Sequence, residues 1–148
     1  MDWFNIYGLI IIAVIMIPNI VFALKIKNGF ENLWHNKTVE ILEQIGRFSC
    51  FGLMIFNIPH TYTGFWFDKA LIVYLTVNGV LVGAYCLIWI ILFRKNCLFR
   101  AAALSIIPSV IFLFSSIMLL SIPLIAASLV FAPCHILISI KNADLKLK

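Results

Sequence analysis

The sequence predicts an all-α integral membrane protein, a single bundle of five transmembrane helices with the N-terminus outside and the C-terminus cytoplasmic. Of its 148 residues, 64% are hydrophobic and 11% are charged, and the mean hydropathy is +1.09. Soluble domains are about half apolar and about a quarter charged. Several uncharged stretches reach the roughly 20 residues that a bilayer crossing needs. Basic residues collect between alternate stretches. These observations exclude a soluble domain, a disordered chain and a disulfide-linked secreted module.

The first predicted span covers residues 3–24 and ends at Lys25. No basic region precedes this apolar stretch and no clear small-residue cleavage site follows it, so we expect a retained helix and not a removed signal peptide. The second predicted span covers 38–58 and is long enough to cross a bilayer. Because it is interrupted by charges, we expect its inner end to be polar. These charged residues are Glu40, Glu43 and Arg47.

The remaining spans follow from two further apolar stretches. The third predicted span, 70–93, ends at Arg94. The 40 residues of 101–140 carry no charge, and they would measure about 60 Å as one helix, so this stretch must turn back on itself. The turn is predicted at Ser121, Ile122 and Pro123. The last two predicted spans are therefore 101–120 and 122–140, and all five belong to one membrane domain, 1–148.

Charge predicts the orientation of the bundle. With the N-terminus outside, nine basic residues lie in the inside loops and the C-terminal tail, against Lys69 alone outside, as the positive-inside rule requires. The nine are Lys25, Lys27, Lys37, Arg94, Lys95, Arg100, Lys141, Lys146 and Lys148. The same rule accounts for the net charge of +5, so we expect no nucleic acid partner. The compact loops favour a multi-pass protein of the cell membrane, in particular a bacterial inner membrane.

Polar side chains inside the spans predict a ligand site. An ionisable group there costs roughly 2.5–3.5 kcal/mol on insertion scales, so it usually faces protein or water. Asn19, Arg47 and His135 lie at similar distances from the inner ends of their spans. Bends at prolines in the same layer would open the inner half of the bundle into a polar vestibule that faces the cytoplasm. These predicted kink positions are Pro18, Pro108 and Pro133.

Glu43 and Arg47 are four residues apart, in the order of acid then base that favours an ion pair on a helix. We expect this pair to line the vestibule. The alternative is that Glu40 and Glu43 decorate a solvated helix N-terminus while Arg47 extends to the lipid headgroups. The candidate ligand-binding residues are Glu43, Arg47, Asn19, His135, Tyr85, Trp89 and Asn78.

The third span has two distinct faces. One is predicted to face the bundle axis and carries Tyr74, Asn78, Tyr85 and Trp89. The far side carries Gly79 and Gly83, a G-x-x-x-G motif that allows close approach of another helix. We expect these glycines to pack within the chain, and contact with a second copy in a homo-oligomer is the alternative.

No motif specifies catalysis, because the chain lacks the nucleotide-binding, nucleophile-elbow and zinc-protease patterns. The four cysteines lack metal-ligand spacing and the three histidines fall in different regions. The sequence therefore favours a non-enzyme with no catalytic residue, no metal site and no cofactor.

The predicted function is binding of a lipid or amphipathic small molecule in the polar vestibule. Transport of the bound molecule across the membrane is a further possibility that this prediction includes. Two alternatives stay open: a regulatory or immunity-type subunit that pairs through its helices without a small ligand, and a small membrane enzyme acting on lipid. In the enzyme, His135 or Glu43 would be the base. The bilayer is the one partner common to all three.

Overall fold

The fold is all-helical over the residues that the structure describes. The structure is a computed structural model that describes residues 3–27 and 29–147. No strand occurs in these ranges, where an isolated bridge pairs Phe4 with Phe56. The helices of this part of the chain are α1 (Ile6–Lys25), α2 (Lys37–Ile55), α3 (Ala70–Leu92), α4 (Leu98–Met118) and α5 (Ile122–Leu147).

Four of these helices, α1, α3, α4 and α5, are long and apolar enough to cross a membrane. The prediction of an all-helical, multi-pass membrane protein is confirmed to this extent. The α2 helix is the least apolar of the set because it carries charged side chains along its first three turns. Those side chains belong to Lys37, Glu40, Glu43 and Arg47.

Both α1 and α2 are preceded by an N-cap asparagine, whose side chain accepts a hydrogen bond from an N–H group of the first helical turn. Oδ1 of Asn5 accepts from the Gly8 N–H at 3.2 Å, and Oδ1 of Asn36 accepts from the Val39 N–H at 3.3 Å. Each bond satisfies an N–H group that has no partner within its own helix. The α2 helix ends at Ile55, earlier than the predicted limit of 58.

The chain leaves helical geometry after Ile55 because it pairs there with the segment that precedes α1. The Asn5 N–H donates to the Ile55 carbonyl at 2.7 Å, and the Asn57 N–H donates to the Trp3 carbonyl at 2.8 Å. The rings of Trp3 and Phe56 stack with their centroids 5.8 Å apart. The last residues of the predicted second span therefore form an extended clasp and not a helical turn.

The turn between α4 and α5 lies slightly earlier than predicted. The α4 helix ends at Met118, and Leu120 takes a left-handed backbone with a φ of 44°. Pro123, expected in the turn, is the second residue of α5, where its missing N–H removes no helical hydrogen bond. The α5 helix continues to Leu147, past the predicted span limit of 140.

The helices pack around α4 and α5. The α5 helix packs against both α2 and α4, α3 packs against α4, and α1 contacts α2 and α3. Glycines permit the closest approaches: a Cβ on Gly46 of α2 would lie 2.9 Å from Cα of Phe131 in α5. A Cβ on Gly8 of α1 would lie 2.0 Å from the carbonyl oxygen of Met54 in α2. The buried serines of α4 are Ser105, Ser109, Ser115 and Ser116.

One end of the bundle, which we call the basic end, holds the C-terminal ends of α1, α3 and α5 and the N-terminal ends of α2 and α4. There Asn142 of α5 accepts a hydrogen bond from the Leu33 N–H at 2.8 Å, and the rings of Phe22 and Trp89 lie 4.7 Å apart. Lys148, predicted on this side, lies outside the described residues. The basic residues described here are Lys25, Lys27, Lys37, Arg94, Lys95, Arg100, Lys141 and Lys146.

The opposite end, which we call the aromatic end, is closed by the loop of residues 56–69. The Gly64 N–H donates to the Leu119 carbonyl at 3.0 Å, and the Ile122 N–H donates to the Thr61 carbonyl at 3.1 Å. These two bonds tie the loop to the turn between α4 and α5. Exposed aromatic side chains at this end are Trp3, Phe4, Phe56, Trp66 and Phe67.

Candidate functional site

A buried carboxylate on one helix is contacted by two other ionisable side chains, one from the same helix and one from another. Glu43 of α2 is only 3% exposed. Its Oε1 atom accepts hydrogen bonds from Nε of Arg47 at 3.0 Å and from Nη2 of the same residue. Nδ1 of His135, on α5, lies 2.8 Å from the same oxygen. We call Glu43, Arg47 and His135 the ionic cluster.

Local packing explains why these side chains converge. Arg47 follows Glu43 by one helical turn, so the two share a face of α2. His135 reaches them because Gly46 allows α5 to approach α2 at Phe131. The imidazole of His135 stacks on the Phe131 ring, with centroids 4.6 Å apart and planes 20° apart. Both neighbours of the carboxylate are therefore held in place by contacts within the protein.

The ionic cluster is only partly enclosed. The side chain of Arg47 is 42% exposed and that of His135 is 21% exposed, whereas Glu43 is buried. The contacts with Glu43 use Nε and Nη2 of Arg47 and Nδ1 of His135, so Nη1 of Arg47 and Nε2 of His135 take no part in binding this carboxylate. The cluster can therefore offer two nitrogen atoms to a molecule that approaches from outside the packed helices.

The other candidate residues form separate contacts. Asn19 of α1 donates to the hydroxyl of Tyr85 in α3 at 2.8 Å. Asn78 of α3 donates to the hydroxyl of Ser115 in α4 at 3.2 Å, and both residues are fully buried. Trp89 is buried one turn beyond Tyr85. Direct hydrogen bonds thus place the predicted ligand residues in distinct groups, of which only the ionic cluster is charged.

The two acidic residues predicted together on the second span have different roles. Oε1 of Glu40 accepts from the Asn32 side chain at 2.6 Å and from the Asn36 N–H at 3.2 Å, so this carboxylate caps the start of α2. Glu43 instead faces α5. The alternative of a solvated helix N-terminus therefore describes Glu40 and does not describe Glu43.

The glycines and prolines singled out in the sequence lie in regular helix. Gly79 and Gly83 are exposed, and a Cβ on either would meet no atom within 4 Å, so the packing expected within the chain is absent from the described residues. A contact with a second copy stays a prediction. Pro18, Pro108 and Pro133 each lie inside a continuous helix, and bends at these positions also stay a prediction.

A cavity at the basic end was not predicted from the sequence. It measures about 280 Å³ and opens between the ends of α1, α3, α4 and α5. In the sequence its basic residues indicate only the orientation of the bundle. The pairing of aromatic and basic residues in Phe93-Arg94 and Phe99-Arg100 was the available signal. The lining residues are Phe22, Ile26, Lys27, Gly29, Phe93, Arg94, Asn96, Arg100 and Lys146.

Within residues 3–27 and 29–147, no group of three or more His, Cys, Asp and Glu side chains is placed to hold a metal ion. The four cysteines are free thiols. No family model, curated protein or solved structure is detectably similar to this chain. The features that point to a function are therefore the geometry of the ionic cluster and that of the basic end.

Proposed function

We propose that α2 is a fifth membrane span and that the basic end faces the cytoplasm. Most of the large side chains that α2 turns outward are apolar, with Lys37 and Gln44 as the polar exceptions, whereas Glu43 points into the bundle. A surface helix of a soluble protein has the reverse pattern. The excess of basic residues at one end supports the orientation, because cytoplasmic loops are enriched in Lys and Arg. The outward apolar residues of α2 are Ile41, Leu42, Ile45 and Phe48.

We propose further that the protein binds a small molecule or lipid whose polar head is held by the ionic cluster. The observation that carries this proposal is the convergence of Arg47 and His135 on one buried oxygen of Glu43. A buried ion pair adds little net stability, because removing its charges from water costs about as much as their attraction returns. Ionisable groups within membrane spans usually serve a function.

The chemistry of the ligand follows from the free atoms of the cluster. Arg47 presents a planar guanidinium, which recognises carboxylate or phosphate groups through paired N–H donors. His135 adds a ring nitrogen on the α5 side. Asn19, Tyr85 and Asn78 already bond across α1, α3 and α4, so we assign them a supporting role that holds these helices in register.

Packing favours binding over transport. Between the ionic cluster and the aromatic end, the bundle is filled by large side chains that are fully buried, among them Tyr74, Phe112 and Met54. A molecule held at Arg47 would have to displace this layer in order to cross. We therefore propose a binding protein that is open toward the cytoplasmic half of the membrane.

The test is native mass spectrometry of the protein released from its own membranes in mild detergent. Wild type, Arg47→Ala and Lys95→Ala are compared, since Lys95 is an exposed cation at the same end that lies outside the cluster. We expect a discrete adduct on wild type and on Lys95→Ala, and its loss from Arg47→Ala. Thermal unfolding of the three proteins shows whether the fold is retained.

Two results would contradict the proposal. One is an adduct that persists equally on Arg47→Ala. The other is a wild-type protein without any adduct both in detergent and in discs cut directly from the native membrane, where a weakly held ligand is retained.

One observation favours a second candidate, a subunit that pairs through its helices. The face of α3 with Gly79 and Gly83 is open, and small residues of this spacing allow two membrane helices to approach closely. Cross-linking in the native membrane tests it: a dimer or partner complex lost in Gly83→Leu would support this candidate. An uncross-linked monomer would leave the binding protein as the better account.

A further inference from the structure

The cavity at the basic end is lined by cations alone among its charged residues. Lys27 comes from the segment after α1, Arg94 from the segment after α3, Arg100 from α4 and Lys146 from α5. No Asp or Glu of the described chain lines it. Four positive groups around one concave space make its interior strongly attractive to an anion, because a low-dielectric wall focuses their field.

Arg100 is fixed in the wall of this cavity. Its Nη1 atom donates to the carbonyl oxygens of Leu92 and Phe93, each at 3.1 Å, at the C-terminal end of α3. Its guanidinium carbon lies 5.0 Å from the centre of the Phe22 ring and 5.7 Å from that of Trp89. The charge is therefore held in one position, and no Asp or Glu of the described residues lines the cavity beside it.

Lys146 is also positioned by the fold. Its Nζ atom donates to the carbonyl of Gly29 at 3.1 Å, which links the last turns of α5 to the segment after α1. Two of the four cations are thus held by hydrogen bonds to the backbone. The other two lining cations, Lys27 and Arg94, are exposed.

The apolar part of the lining completes the site. The rings of Phe22 and Phe93 meet edge to face, 5.5 Å apart, and Ile26 lies beside them. Ile26 and Phe93 directly follow the last residues of α1 and α3, so in the membrane topology proposed above the cavity would lie at the level of the lipid headgroups. A neighbouring, more open cavity shares Ile26 and Gly29. Because Glu31 also lines it, this second cavity is less attractive to an anion.

We infer that this cavity binds a phosphate group, carried by the headgroup of an acidic membrane lipid or by a small soluble phosphate compound. Arginine and lysine are the residues that recognise phosphate oxygens. A volume of about 280 Å³ lies at the lower limit of ligand pockets, so it accommodates a headgroup and not a whole lipid. The acyl chains of a lipid would continue along the exposed surface of α1. This inference does not depend on the ionic cluster as a ligand site.

The experiment compares two pairs of substitutions that remove the same charge. The lining pair, Lys27→Gln with Arg94→Gln, removes the two exposed cations that line the cavity. The control pair, Lys25→Gln with Lys95→Gln, removes two neighbouring exposed cations that do not line it. Native mass spectrometry measures retention of phosphatidylglycerol against phosphatidylcholine of the same chain length. In a second arm, inorganic phosphate is titrated into protein held in phosphatidylcholine discs, with sodium chloride matching the ionic strength.

We expect wild type to retain phosphatidylglycerol at least tenfold better than phosphatidylcholine, or to bind inorganic phosphate saturably. The lining pair should weaken this binding roughly 30-fold, taking about fivefold for each basic residue near an anionic group. The control pair should change it less than about twofold. Discrimination between lipids without phosphate binding identifies a lipid headgroup, and saturable phosphate binding identifies a soluble compound.

Three results would overturn the inference. One is an equal loss of binding in the lining pair and the control pair. It would show that anions are attracted by the overall positive charge of the basic end and not by this cavity. Another is equal retention of both lipids together with no binding of phosphate. The third is binding in the lining pair that stays within about twofold of wild type.

Discussion

Nδ1 of His135 lies 2.8 Å from Oε1 of Glu43, and this contact joins side chains that are 92 residues apart in the chain. It connects α2 to α5, and the guanidinium of Arg47 on the same oxygen completes the group. The carboxylate has two cationic or hydrogen-bonding neighbours and almost no exposure to solvent. Removing the carboxylate should therefore disturb the bundle more than removing either neighbour.

Glu43→Ala should lower the free energy of unfolding by about 3–5 kcal/mol, because it leaves the partners of a buried carboxylate unsatisfied. The triple variant Glu43→Met, Arg47→Met and His135→Leu should recover most of that loss, since apolar side chains of similar volume remove the charges together. Unfolding in mixed detergent micelles measures both. A triple variant as unstable as Glu43→Ala would show that the ionic cluster is needed for the fold itself.

Gly46→Ala should destabilise the protein by roughly 1–3 kcal/mol, as overpacking does in a closed interface, because the new methyl group would lie 2.9 Å from Cα of Phe131. Gly52→Ala is the matched control on the same helix, where a Cβ meets nothing within 4 Å. There alanine should be neutral or stabilising by up to about 1 kcal/mol through helix propensity. Thermal unfolding measures the stability of the two variants. Equal changes in the unfolding temperature would contradict the close contact of α2 with α5.

Asn142→Leu should release the loop between α1 and α2. The side-chain oxygen of Asn142 accepts from the Leu33 and Trp34 N–H groups at 2.8 and 2.9 Å, and its amide donates to Asn32 at 2.7 Å. Without it these amides should exchange with deuterium about tenfold faster, since a hydrogen bond of about 1.4 kcal/mol protects them. Lys141→Leu, an exposed neighbour on α5, is the control and should leave the exchange unchanged.

Thiol labelling of whole cells tests the orientation and the fifth span together. In a protein whose native cysteines are replaced by alanine, Thr63→Cys lies in the loop at the aromatic end and Asn96→Cys at the basic end. An impermeant reagent should label Thr63→Cys in intact cells and Asn96→Cys only after permeabilisation. If α2 does not cross the membrane while the N-terminus stays outside, Asn96→Cys should be labelled in intact cells and Thr63→Cys only after permeabilisation.

Most of the fold could be predicted because a membrane span is a local property of the sequence. Uncharged length and flanking charge identified α1, α3, α4 and α5 within a few residues. The errors lie where other forces act: the end of α2 is set by pairing of Asn5 with Ile55, and α5 continues beyond 140 as a helix tied to the loop through Asn142.

The candidate site could be predicted only in part. Spacing on one helix predicted the pairing of Glu43 with Arg47, because residues four apart share a face. The contact of His135 depends on the approach of α5 at Gly46, which no periodicity reveals. The cavity at the basic end is harder still to predict, since its lining comes from the ends of four helices and takes shape only when they assemble.

The contact between α2 and α5 also constrains the order in which the chain assembles during synthesis. The α2 helix is synthesised before α5, so His135 is the later of the two partners of Glu43 to be made. Arg47 lies one turn from Glu43 on the same helix and is the partner available before α5 exists. We therefore expect the pair within α2 to form first and the contact with His135 to follow once α5 packs beside Gly46.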